Sequence, residues 1–150
     1  MMDILSFEKV IVECSGDEYI CAKIAINDMP LLEKVAAIEL PYATAEGHPS
    51  IAGKYNHQQS DSLYKQLTGE MFDNQDDLQV ALLTCDCFED GCWSLQAECN
   101  DSEKEVVWRN FSHNHRGKWD YSALGEFHFE KNQYIEELLK LYEFDKGSDS

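Results

Sequence analysis

Basic residues are scarce in this chain. Its 150 residues include 12 Lys and Arg against 29 Asp and Glu, a formal net charge of −17, and the isoelectric point is near 4.4. Such a surface repels nucleic acid and anionic membrane, which are polyanions, so neither is expected as a partner. It attracts basic partners at long range, most strongly at low salt. The plainer alternative is that the surplus serves solubility alone. Long apolar runs are missing too, and no stretch approaches the roughly 20 apolar residues a membrane-spanning helix needs. The opening Met1-Met2-Asp3-Ile4-Leu5 has neither a basic segment nor a long apolar one, so no signal peptide is expected. The chain lacks a phosphate-binding Gly-rich loop and an H-E-x-x-H helix. No Ser/His/Asp or Cys/His set has a readable geometry, so the expectation is a protein that is not an enzyme. The expected compartment is the cytoplasm, where six cysteines stay reduced and act as core residues, metal ligands or reactive thiols.

What is present reads as one α+β domain over residues 1–146, with 147–150 as a frayed acidic tail. Residues 9–14 and 19–26 alternate as strands about a turn at 15–17, which predicts an N-terminal hairpin. Cys14 and Cys21 lie near its turn, where packing is the ordinary role. Asn27-Asp28 predicts a helix N-cap, with Pro30 in the first turn and Leu31, Leu32, Val35 and Ile38 at helical spacing. That helix is expected to stop before Pro41. Residues 43–62 read as an ordered irregular loop anchored by Tyr42, Ile51 and Tyr55, and 63–67 as a short helix. Residues 78–111 predict a three-stranded antiparallel meander, with Val107, Arg109 and Phe111 on one face of its last strand and Val106, Trp108 and Asn110 on the other. A short strand at 127–129 and a helix at 130–144 follow, the latter with Tyr134, Ile135, Leu138, Leu139 and Tyr142 as its apolar stripe. The expected architecture is thus an antiparallel sheet, hairpin plus meander, packed with an early and a C-terminal helix.

Residues 70–105 hold eleven Asp and Glu and one basic residue, Lys104. Within them lies Cys85-Asp86-Cys87-Phe88-Glu89-Asp90-Gly91-Cys92-Trp93. Three thiols at one turn suit zinc, which needs four ligands in a closed site; Cys99, His113 or His115 is the candidate fourth. Against zinc, the paired C-x2-C knuckles are missing, and strand alternation turns Cys99 away from Cys92. The favoured reading is small core cysteines beside a tight turn. A reactive thiol is opposed by Asp86, Glu89 and Asp90, which disfavour the thiolate.

His113-Asn114-His115-Arg116-Gly117-Lys118-Trp119-Asp120-Tyr121 gathers bases and aromatics in a predicted loop. His113 and His115 are candidate ligands or proton carriers, and Arg116 a candidate carboxylate or phosphate clamp. The favoured reading is structural, with Arg116 paired to a local acid such as Asp120, and Trp119 and Tyr121 covering the meander. His48 and His57 read as solvated loop residues.

Three segments carry a resemblance: residues 46–55 (Glu46-Gly47-His48-Pro49 through Gly53-Lys54-Tyr55), 83–93 (Cys85-Asp86-Cys87, Cys92-Trp93), and Val107-Trp108 through Tyr134 with His113 to Tyr121 and Leu124-Gly125-Glu126-Phe127. In this order they resemble a family of small uncharacterised bacterial proteins over roughly residues 27–140. The resemblance implies a bacterial cytoplasmic source and one compact domain. It supplies no activity, cofactor or catalytic residue. The chain departs from the family in its acidity, which points to a partner of its own.

The function expected from these features is an acidic binding protein, in its most concrete form an immunity protein that neutralises a basic bacterial toxin such as a nuclease. Asp86, Glu89 and Asp90 are the first candidate contacts, then Asp73, Asp76 and Asp77, then Glu98, Asp101 and Glu103. Trp93 and Trp108 are candidate anchors, though a tryptophan so placed is more often core. The alternative is a small zinc-binding or thiol-dependent enzyme built on Cys85, Cys87, Cys92, His113 and His115. A third reading is a bacterial module of no definable chemistry.

Overall fold

The structure is a computed structural model that describes residues 2–14, 16–68, 77–84, 94–113 and 118–144. Eight strands make one curled sheet: β1 (Leu5–Cys14), β2 (Asp17–Ile26), β3 (Met29–Pro30), β4 (Asn56–Gln59), β5 (Asp77–Thr84), β6 (Ser94–Asp101), β7 (Glu105–His113) and β8 (Phe127–Glu130). The sheet order is β1-β2-β4-β5-β6-β7-β8, with β3 also pairing β2. Every pairing between these strands is antiparallel. Among the described residues three helices accompany it: α1 (Leu31–Ala45), α2 (Ser60–Leu67) and α3 (Lys131–Glu143). The expected α+β class, hairpin, meander and two flanking helices are all present. One contiguous core takes in Leu5, Phe7, Ile24, Leu31, Trp108, Phe129 and Leu141.

The curl brings the two ends of the sheet together. Asp3 forms a parallel bridge to Phe129 on β8, with Asp3 N donating to His128 O at 2.8 Å and His128 N donating to Asp3 Oδ2 at 2.8 Å. Beyond Asp3, helix α3 takes over from β8. Gln133 accepts from Leu5 N at 3.2 Å and donates to Leu5 O at 2.7 Å; one turn later Glu137 accepts from Phe7 N at 3.0 Å. Two side chains four residues apart thus occupy the outward backbone groups of β1 as a neighbouring strand would.

This contact corrects the expected stripe of α3. Tyr134 and Leu141 are buried, whereas Ile135, Leu139 and Tyr142 are exposed. The polar Gln133 and Glu137 turn inward because β1 offers unpaired backbone there. Ile135, Leu139 and Tyr142 are thereby rotated out, Tyr142 lying 4.9 Å from Tyr64 between ring centres.

Two further expectations are corrected around α1. Asn27 and Asp28 do not cap it; both have positive φ (55° and 67°) and form the two-residue turn that lets β3 fold back on β2. The helix also runs through Pro41 to Ala45. An interior proline costs about 3 kcal/mol, so tertiary contacts beyond it must offset that. The stop lies at Glu46. Gly47 N donates to Thr44 O at 3.0 Å and His48 N to Ala43 O at 2.9 Å, with Gly47 at φ 84°. That double bond is the Schellman closure, followed by Pro49.

Part of the loop expected at 43–62 is regular: a 3-10 turn at Pro49–Ile51, then strand β4, whose polar sequence Asn56-His57-Gln58-Gln59 hid it. Gln58 and Gln66 are buried because β5 has an irregularity between Ala81 and Leu83. Gln66 Oε1 accepts from Ala81 N at 2.9 Å and Gln58 Nε2 donates to Ala81 O at 3.1 Å, filling that rung. In β7, Asn110 sits at φ 54° where two residues oppose one of β6. The bulge resets the alternation, so Phe111 and His113 share the core face with Val106 and Trp108, contrary to the expected split.

Gln133→Ala leaves the Leu5 amide and carbonyl without their partner. It is expected to lower stability by about 1–3 kcal/mol in urea denaturation, with the slope of the transition unchanged.

Candidate functional site

Helix α1 buries Leu31, Val35, Glu39 and Ala43 along one stripe. Glu39 is the anomaly, a carboxylate 1% exposed. Three donors converge on it from two distant segments. Gly53 N donates to Oε1 at 2.8 Å, while the Tyr55 and Tyr121 hydroxyls each donate to Oε2 at 2.5 Å. Three donors and no acceptor make the pattern of an ionised carboxylate, which can only accept. Gly53 reaches it because the loop lies directly on the helix. A Cβ there would stand 2.6 Å from Ala36 Cβ, and φ is +69°. Burial, then the Glu39 carboxylate, pushes the Tyr55 hydroxyl far above its ordinary range, so it remains a donor.

Aromatic rings extend the cluster outward. His113, 6% exposed at the end of β7, lies 6.1 Å from Tyr55 and 5.7 Å from Trp119 between ring centres. Trp119 stacks on Tyr42 at 5.9 Å and 19°, and its Nε1 donates to Glu46 Oε2 at 2.8 Å. Tyr42 and Glu46 stand beyond Pro41, so this packing, with the Glu39 bonds, holds the last turns of α1. The segments quoted for the family resemblance meet here: Glu46, Gly53 and Tyr55 from the first, His113, Trp119 and Tyr121 from the last. Trp119 and Tyr121, expected to cover the meander, instead reach mainly to α1: Trp119 touches His113 at the end of β7 but stacks on Tyr42 and bonds Glu46, and Tyr121 bonds Glu39.

An open cleft of about 630 Å³ adjoins the cluster, with Phe111, Lys118, Trp119, Asp120, Tyr121 and Glu126 among its lining. Its carboxylates are committed locally. Asp120 accepts from Ser122 N at 2.8 Å, a bond that lowers its carboxyl below the usual range. Glu126 lies 3.2 Å from His128 Nε2, and Glu105 3.3 Å from its Nδ1. Mainly through Glu105, these raise the proton affinity of His128.

Of the expected partner contacts, Glu98, Asp101 and Glu103 lie among the described residues, and Asp77 begins β5. Glu98 holds Arg109 Nε at 3.0 Å and Asn110 Nδ2 at 3.3 Å, so it also stabilises the β7 bulge. Asp101 pairs with Lys131 at the start of α3. Glu103 is exposed in the β6–β7 turn. Asp73, Asp76, Asp86, Glu89 and Asp90 lie outside the described residues, as do Cys85, Cys87, Cys92, Trp93, His115 and Arg116.

Trp108 is corrected as an anchor. It is fully buried, edge-on to Phe129 at 5.0 Å, with Nε1 donating to the Tyr134 hydroxyl at 3.1 Å. Cys99 is also core, and burial pushes its thiol well above the ordinary range. His113 pairs with Leu95, four residues along β6 from Cys99, so the two stand about 13 Å apart and cannot ligate one ion. Among the described residues, no three His, Cys, Asp or Glu side chains converge as a metal set. His48 precedes the 3-10 turn and is exposed, as expected. His57 is not in a loop; it lies in β4 with Nδ1 buried and without a hydrogen-bond partner among the described residues.

Glu39 was not singled out from the sequence, yet a signal existed. It falls at i, i+4, i+8 from Leu31 and Val35, on the apolar face of the helix, where a carboxylate needs partners. No family model, curated protein or solved structure matches the chain.

Glu39→Leu strands two buried hydroxyls and an amide, and is expected to cost about 3–5 kcal/mol in urea denaturation; Tyr121→Phe is expected to cost about 1–3. A second prediction concerns pH. Burial, then the Lys23 ammonium, lowers the proton affinity of His57. The unfolded chain therefore binds that proton more readily, and stability falls as pH drops through the ordinary imidazole value of 6.5. His128, raised in the fold, acts with the opposite sign: its contribution is complete below that value and lost as pH rises through its folded range. His57→Gln should accordingly lose less stability than the wild type between about pH 7 and 5, measured by urea denaturation.

Proposed function

We propose that this chain is an acidic binding protein that docks onto a basic protein, in its most concrete form an immunity protein for a cationic bacterial toxin such as a nuclease. The observation that carries the reading is the net charge of −17, which the chain's own cations leave unanswered. Lys65, Arg109, Lys131 and Lys140 are already committed to Asp61, Glu98, Asp101 and Glu137. The remaining carboxylates therefore project a field that a partner of opposite sign would feel at a distance. A toxic nuclease needs a basic cleft for its polyanionic substrate. A neutralising partner gains association rate and specificity by presenting clustered carboxylates to that cleft.

The first contacts proposed are Asp86, Glu89 and Asp90, followed by Asp73, Asp76 and Asp77. Glu98, Asp101 and Glu103 extend the same acidic stretch of sequence. Glu98 and Asp101 already have internal partners, which makes them secondary contributors. The hydrogen-bonded Glu39 cluster supports a structural rather than a chemical role for the buried carboxylate, since all its acceptor atoms are engaged.

The test is a binding titration against a basic toxin domain, sought in the gene that neighbours this chain's own. Asp86→Lys, Glu89→Lys and Asp90→Lys combined should weaken binding at least roughly tenfold at low salt, with the difference shrinking as salt rises. An unchanged affinity places the interface elsewhere. A neighbouring gene that encodes no toxin, together with no co-purifying basic protein, sinks the immunity reading.

A further inference from the structure

Strand β1 changes character halfway along. Its outward backbone groups at Leu5 and Phe7 are taken by Gln133 and Glu137 of α3. Along a strand these groups recur every second residue, so those of Lys9, Ile11 and Glu13 face the same way. No α3 side chain reaches them; Lys9 and Glu13 are exposed, and Ile11 is 53% exposed. On its other side this segment is fully paired with β2, from Lys9↔Ala22 to Glu13↔Glu18. Among the described residues nothing else pairs with this stretch, and the open edge is bounded by Glu137 at Phe7 and by the hairpin turn after Cys14.

An open edge with a large apolar side chain at its middle invites another strand. The sequence states which strand fits. Lys9 and Glu13 stand symmetrically about Ile11. If a second copy pairs antiparallel with Ile11 opposite Ile11, each Lys9 faces a Glu13 of the other copy. All three outward positions then fall on hydrogen-bonded rungs, giving about six new N–H···O=C bonds. The arrangement also answers a local imbalance. Glu13 and Glu18 are direct cross-strand neighbours of like charge, both exposed. Lys9 of the second copy would arrive beside them.

We propose that the Lys9–Glu13 edge of β1 is a two-fold self-association site, at which two copies join their sheets antiparallel about Ile11. The contact is isologous and closes at two copies, because it consumes both edges. It opposes the mutual repulsion of two copies at −17 each, so association strengthens as salt screens that repulsion. This is the reverse of the salt response of docking onto a basic partner, and failure here leaves that reading untouched.

Sedimentation equilibrium of the full chain over a concentration series tests it. A monomer–dimer equilibrium that shifts toward dimer with added salt is expected. Ile11→Pro removes only an outward N–H, which an edge strand tolerates, and should abolish the dimer. Glu13→Lys reduces net repulsion yet should weaken dimerisation roughly tenfold, and Lys9→Glu combined with Glu13→Lys should restore it. Circular dichroism checks that each variant folds; if the proline variant does not, the charge variants still decide. A monomer at every concentration and salt, or a dimer indifferent to Glu13→Lys and to a folded Ile11→Pro, overturns the proposal.

Discussion

The carboxylate of Glu39 ties together three pieces of chain: helix α1, the loop at Gly53–Tyr55 and the segment at Tyr121. It sits in the third turn of α1, takes an amide and a hydroxyl from the loop at Gly53–Tyr55, and takes a second hydroxyl from Tyr121. Burying a charge is expensive unless every lone pair it offers is used well. The cost is met by geometry. Gly53 has no Cβ to hold the loop away from Ala36, and both tyrosines bring their oxygens from apolar surroundings. The consequence spreads along α1. With Glu39 fixed, Tyr42 and Glu46 are placed to receive Trp119, and the helix tolerates Pro41 on its exposed side. His113 is then enclosed between Tyr55 and Trp119, its burial a result of the clamp.

The sheet has its own constraint, the fate of its first edge. A sheet curled this far nearly meets itself, and Asp3 joins the ends by one bridge to β8. Farther along β1, side chains of α3 replace the missing strand, which dictates the rotation of that helix and which of its apolar residues face outward. Beyond Phe7 the replacement stops. The described surface thus combines a large acidic surplus with a short strand edge that carries Lys9, Ile11 and Glu13.

Much of this was legible in the sequence where periodicity was clean. The hairpin at 8–26, the meander and the C-terminal helix follow from alternation and helical spacing. The misses share a cause: a local rule lost to a tertiary contact. Pro41 read as a stop, but the true stop was written in Gly47 and Pro49. Asn27-Asp28 read as a cap, though two residues that tolerate positive φ between apolar runs also write a hairpin turn. The stripe of α3 was misjudged because hydrophobicity ignored the attraction of β1's backbone for Gln133 and Glu137. The bulge at Asn110 moved Phe111 to the other face, which no alternation could show. Strand β4 was hidden because its buried partners are glutamines that complete an irregular rung. The candidate contacts around the cysteine hairpin rest on charge alone, whereas Glu39 was announced by a carboxylate on an apolar stripe.

Glu39 acts as a permanent structural clamp, with its hydrogen bonds closed as long as the protein is folded. Native-state hydrogen exchange of the Gly53 amide tests it most directly. A loop amide open to water exchanges at nearly the rate of an unfolded chain, whereas one held by the clamp opens only with the fold. Gly53 is expected to be protected to nearly the same free energy as the core amides of β6. Exchange as fast as that of the exposed turn at Glu103 would contradict it.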